Sequence, residues 1–124
     1  MNTPNSVSYR SSYINLLTTL SSGQEQLDYE KNVPIAYVPG ELLCQFFDDL
    51  YHPKSNDFVN EFSEDELKEI GVFSGFFQIA WDEVEKLDLP PVTKVLALPE
   101  WRSMMKRAQF LKTQLTIKTS QPSQ

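Results

Sequence analysis

The chain contains one cysteine, Cys44, and one histidine, His52, in 124 residues. A single cysteine closes no intramolecular disulfide. A cysteine–histidine catalytic pair would require these two residues to meet around the end of one helix, which their spacing does not favour. Cys44 is expected as a small residue on or beside an apolar helix face. His52, followed by Pro53, is expected as a helix-terminal residue favoured by the helix dipole. No Cys or His cluster suits zinc, and Asp48, Asp49 and Asp57 lack the spacing and central glycine of a calcium loop. With only four glycines there is no phosphate-binding glycine loop. Asp48, Asp49 and Glu61 could be imagined as paired carboxylates, but an acidic block offers such pairs without any specific signal for glycoside chemistry. No stretch approaches the roughly 18 apolar residues of a membrane span. The first thirty residues also lack the basic and apolar regions of a signal peptide. The expectation is a cytoplasmic protein without membrane association, and not an enzyme: no catalytic residue, no metal and no cofactor.

What is present is a core. Apolar residues make up 40% of the chain and charged residues 23%, with 8 Phe, 5 Tyr and 2 Trp. This composition excludes a disordered acidic tail. The length suits one domain, 1–124, and no repeat or long linker divides it. The polar ends, about 1–5 and 119–124, are expected to fray.

The net charge of −6 is unevenly distributed. Residues 25–90 hold sixteen acids and four bases, whereas residues 91–124 hold Glu100 against six bases. Positions 48–69 alone carry eight acids and two lysines, a local balance of −6. Such a surface disfavours direct nucleic-acid binding and favours an electropositive partner. The C-terminal bases Lys94, Arg102, Lys106, Arg107, Lys112 and Lys118 suit the dipole of a last helix and can pair with the acidic segment.

Periodicity places Tyr9, Tyr13, Leu16, Leu17 and Leu20 on one helical stripe, with Ser21-Ser22-Gly23 as its stop and glycine available for the left-handed C-terminal position. Val33 to Pro39 is short and proline-bounded, either a buried strand or a packed connection. Pro39 can open a helix buried through Leu42, Leu43, Phe46, Phe47 and Leu50 and ended by His52-Pro53. A loop with Asn56 and Asp57 as turn formers follows, anchored in the core by Phe58 and Phe62. Ser63-Glu64-Asp65-Glu66 has the pattern of a capping box and predicts a helix to about Leu87. Gly71 and Gly75 leave a notch on that helix, where close approach of another element would explain two interior glycines. Beyond Pro90-Pro91, residues 92–98 read as a short helix. Pro99 then opens a last helix with Trp101, Met104, Met105, Ala108, Leu111 and Leu115 at helical spacing. The fold class is mainly α, a small helical bundle of about four helices, with a short strand pair from residues 34–38 and 92–97 as the alternative.

Phe46-Phe47-Asp48-Asp49-Leu50-Tyr51, then Phe58, then Phe62-Ser63-Glu64-Asp65-Glu66-Leu67 with Phe73 and Phe77, then Leu98-Pro99-Glu100-Trp101 and Ala108-Gln109, form a pattern over about residues 40–112. It resembles the small bacterial immunity proteins of contact-dependent growth inhibition systems. The resemblance implies a cytoplasmic protein that binds and blocks the toxin domain of a large secreted effector. Such toxins are often nucleases, whose clefts must be basic to hold phosphate, so an acidic inhibitor is complementary to them. No family site carries over residue by residue. Charge clustering gives the expected partner surface instead: Asp48, Asp49, Asp57, Glu61, Glu64, Asp65 and Glu69, with Tyr51 and Phe58 as aromatic anchors. The competing expectation is a helical adaptor or regulatory module that binds another protein at the Gly71/Gly75 notch.

Overall fold

Arg10 is the only charged side chain in the first 24 residues, and it ties the N-terminal helix to the rest of the chain. The computed structural model describes residues 9–120, with side chains described as far as Ile117. Helix α1 (Tyr9–Leu20) buries Tyr13, Leu16, Leu17 and Leu20, as its stripe predicts. The expected glycine stop takes a different form. Ser22 is the N-cap of α2 (Gly23–Asn32), its hydroxyl accepting the Glu25 N–H at 3.1 Å, and Gly23 is the first residue of the new helix with no positive φ.

Helix α3 (Val38–Cys44) has Pro39 in its first turn, where the missing N–H costs no helical hydrogen bond. It continues into a π-helical segment, Gln45–Leu50, which closes with the Tyr51 N–H donating to the Phe46 carbonyl at 2.8 Å. The short helix α4 (Asn56–Glu61) leads to α5 (Glu64–Glu85), which begins with a complete capping box. Ser63 Oγ accepts the Glu66 N–H at 3.1 Å and Glu66 Oε1 accepts the Ser63 N–H at 2.9 Å. After α6 (Val92–Val95), α7 (Pro99–Ser120) completes the fold.

The all-α class stands, while the count among the described residues rises from about four helices to seven plus the π-helical segment. Among the described residues there is no strand. Residues 34–37 form a turn into α3, and the other half of the alternative strand pair is α6. The backbone of α7 is helical to Ser120; residues 1–8 and 121–124, where most of the expected frayed ends fall, lie outside the described residues.

Helix α7 packs against both α5 and α1, and α1 also meets α2 and the π-helical segment. The core between them is aromatic. Phe46 meets Phe73 edge-on at 5.2 Å and Tyr13 at 5.8 Å, Tyr13 meets Phe62 at 5.6 Å, and Phe77 meets Trp101 at 5.9 Å. Edge-to-face pairs of this kind add about 0.5–1.5 kcal/mol each beyond their buried area. Two polar features are sealed into this core. Glu66, 3% exposed, takes both arms of the Arg10 guanidinium at 2.7 and 2.8 Å. Gln26 joins α1, α2 and α7 by accepting from Trp101 Nε1 and donating to the Thr19 and Leu20 carbonyls.

Candidate functional site

The π-helical segment carries Asp48 and Asp49, and the fold leaves both exposed. Phe46 of the same segment is buried, so the segment is pinned on one side and acidic on the other. His52 closes it by donating from Nε2 to the Asp49 carbonyl at 3.0 Å, with its ring 6.2 Å from that of Tyr9. Single π-helical turns occur frequently at functional sites. Asp57, in the first turn of α4, and Glu64 and Asp65, in the first turn of α5, are also exposed. Their carboxylates complement the positive ends of those helices.

The other predicted acids are engaged within the fold. Glu61 is half-buried and caps α1 from across the chain, accepting the Tyr9 N–H at 3.0 Å and the Arg10 N–H at 2.8 Å. It satisfies two of the orphan donors that begin a helix, which sequence reading assigned to a partner. Glu69 is paired with Arg107 at 2.6 Å. The predicted acids that remain exposed are Asp48, Asp49, Asp57, Glu64 and Asp65, and among the described residues no cationic side chain forms an ion pair with any of them.

Of the two expected aromatic anchors, one is internal and the other half-buried. Phe58 is 1% exposed and packs between Tyr9, Tyr51 and Phe62, so it holds α4 onto the core and presents nothing to a partner. Tyr51 is half-buried and stacked on Phe46 at 5.3 Å with an interplanar angle of 14°, which leaves only part of it at the acidic surface.

Gly71 and Gly75 do not admit another element of the fold. A side-chain carbon at Gly75 would meet nothing within 4 Å, and one at Gly71 would meet only the Tyr51 hydroxyl at 4.0 Å. The exposed residues Val72, Phe76 and Ile79 lie on the same helix, with Arg107 of α7 placed over Phe76 and Phe110.

A groove that the sequence did not reveal lies between α3 and the C-terminal end of α5. It has a volume of about 600 Å³ and is lined by Tyr37, Gly40, Cys44, Trp81, Val84 and Leu87. Ile35 and Leu89 stand out beside it, 97% and 72% exposed. Glu41, Glu85 and Asp88 are its acidic members. Gly40 has a packing reason: a side-chain carbon there would come within 2.9 Å of the Tyr37 ring. The Cys44 thiol is held above its usual pKa by partial desolvation and by Asp48, Glu41 and Asp49. The nearest sequence signals were two apolar connections bounded by proline, 33–39 and 87–91. The first reads as either a buried strand or a packed connection and the second only as a break at Pro90-Pro91, because the groove exists only once the two segments are side by side.

Among the described residues, no hydrogen bond joins Cys44 to His52, and no group of three or more His, Cys, Asp or Glu side chains could hold a metal ion. No described helix is long and apolar enough to cross a membrane. Comparison with protein-family models, curated proteins and solved structures gives no match.

Proposed function

We propose that this chain is an immunity-type inhibitor that binds and neutralises a cognate bacterial toxin domain, a nuclease with a basic cleft, through its acidic surface. The observation that carries this reading is the division of labour among carboxylates. Glu61, Glu66 and Glu69 are bound into the fold, while Asp48, Asp49, Asp57, Glu64 and Asp65 are exposed and form no ion pair among the described residues. Exposed carboxylates without a bound cation raise the local negative potential, which speeds encounter with a basic partner and rejects acidic ones. They could occupy the part of a nuclease cleft that otherwise holds phosphates.

The test is protection. Cells that express the toxin domain encoded immediately upstream are expected to stop growing, and co-expression of this chain is expected to restore growth. Continued arrest, together with no complex between the purified proteins, would refute the role.

A second reading, a helical adaptor, is favoured by the open face at Gly75 beside Val72, Phe76 and Ile79. Gly75→Arg would abolish partner binding if that notch were the interface and leave it unchanged if the acidic surface were.

A further inference from the structure

The groove between α3 and α5 combines an apolar lining with charge of one sign. Glu41, Glu85 and Asp88 are exposed acids, the charge of Asp48 acts on the Cys44 thiol of the lining, and no lysine or arginine lines the groove. The base next to Glu85 in sequence, Lys86, is tied to Glu83 at 2.8 Å. Its volume lies within the roughly 300–1,000 Å³ range of binding pockets.

Two details argue that the groove presents apolar surface outward rather than closing on itself. Ile35 is almost fully exposed although the core is a few residues away. Leu89 has φ of +46°, the only positive φ among the described non-glycine residues. A left-handed backbone at leucine costs on the order of 1–2 kcal/mol. Here that backbone holds a large apolar side chain in solvent at the groove.

We infer that this groove docks a basic amphipathic segment of a partner protein, in which an apolar side chain packs onto the adjoining Tyr37 and Trp81 rings, whose centroids lie 6.5 Å apart, and flanking lysines or arginines meet Glu41, Glu85 and Asp88. The apolar residue supplies the desolvated anchor and the rim charges supply steering and selectivity. This goes beyond the toxin-binding reading and does not require it, because its residues are separate from Asp49, Asp57, Glu64 and Asp65.

The test uses the full chain and a synthetic peptide with two leucines flanked by lysines, followed by two-dimensional NMR. The Trp81 indole N–H is expected to shift saturably, while the buried Trp101 indole N–H, held by Gln26, stays in place as an internal control. Replacing the peptide's lysines by glutamates, or its leucines by serines, is expected to remove the shift. Glu85→Lys with Asp88→Lys, and separately Ile35→Ser, change exposed side chains and should each weaken binding by about tenfold or more. The inference is overturned if the basic peptide leaves Trp81 unmoved, if the acidic peptide binds equally well, or if the groove resonances change with protein concentration alone, which would make a second copy the occupant. No toxin is present in this experiment, so its failure leaves the acidic-surface reading standing, and failure of toxin binding leaves this one standing.

Discussion

Gln26 and Trp101, 75 positions apart, form a buried hydrogen bond of 3.0 Å from the indole Nε1 to the amide oxygen. The Gln26 amide nitrogen donates to the Thr19 and Leu20 carbonyls at 3.1 and 3.2 Å, satisfying acceptors at the end of α1. Gln26→Leu leaves the Trp101 N–H and the Leu20 carbonyl without the partner that Gln26 supplies, while the Thr19 carbonyl keeps the Ser22 N–H at 3.2 Å. It is expected to destabilise the fold by at least about 2 kcal/mol. Denaturant unfolding followed by the Trp101 environment measures this, and a loss below about 0.5 kcal/mol would contradict the role given to the bond.

Arg10 and Glu66 make the second buried polar connection. Arg10→Met leaves the Glu66 carboxylate in the core without its cation and is expected to cost about 3 kcal/mol. Adding Glu66→Gln removes the charge that Arg10 balanced while keeping an oxygen for the Ser63 N–H, so the double variant should recover part of the loss. Thermal unfolding of the two variants checks the order.

Burial pushes the Tyr13 hydroxyl well above its ordinary pKa, with Tyr51 and Tyr9 adding to the effect. The folded chain therefore keeps a proton that the unfolded chain releases above about pH 10. Stability from this source is intact below that pH and is lost as pH rises past it, the unfolded state then binding fewer protons. Tyr37, also raised by burial, acts in the same direction. Tyr13→Phe loses the hydrogen bond to the Leu50 carbonyl, about 1 kcal/mol at neutral pH. Its deficit should narrow in alkaline solution, and denaturant midpoints at pH 7 and pH 11 compare the two.

Cys44 is exposed, but its thiol is held in the neutral form by partial desolvation and by Asp48, Glu41 and Asp49. Its reaction with a thiol reagent near pH 8 should be slower than that of free cysteine, because the thiolate is the nucleophile. Asp48→Asn should speed it. Equal rates in the two proteins would show that Asp48 does not govern the thiol.

The long helices were legible because each announces itself locally. Tyr13, Leu17 and Leu20 repeat at helical spacing, Ser63 and Glu66 close a capping box, and Pro99 precedes a clean stripe from Trp101 to Leu115. Helix α2 escaped because the residue it buries is Gln26, whose partners lie on α1 and α7 and leave no apolar stripe to read. Helix α4 is too short to show a period, and the π-helical segment breaks the period it would be judged by. For the site, the acidic window identified the exposed Asp48, Asp49, Asp57, Glu64 and Asp65. It could not separate them from Glu61 and Glu69, whose partners Tyr9, Arg10 and Arg107 are distant in sequence. Phe58 was legible as a core anchor and misread as a partner anchor, since an aromatic beside acids looks the same in either role. The groove depends on two segments meeting and left no mark on either.

Under the proposed function, the exposed carboxylates hold a toxin domain. The direct measurement is the dissociation constant for the purified toxin domain with the natural chain and with Asp48, Asp49, Asp57, Glu64 and Asp65 all changed to lysine, each at low and high salt. The natural chain should bind with a Kd of nanomolar order, weakening as salt rises, and the variant should bind at least about 100-fold more weakly while keeping its helical content. Tight binding that survives the five reversals in a folded protein, with no dependence on salt, would contradict the claim.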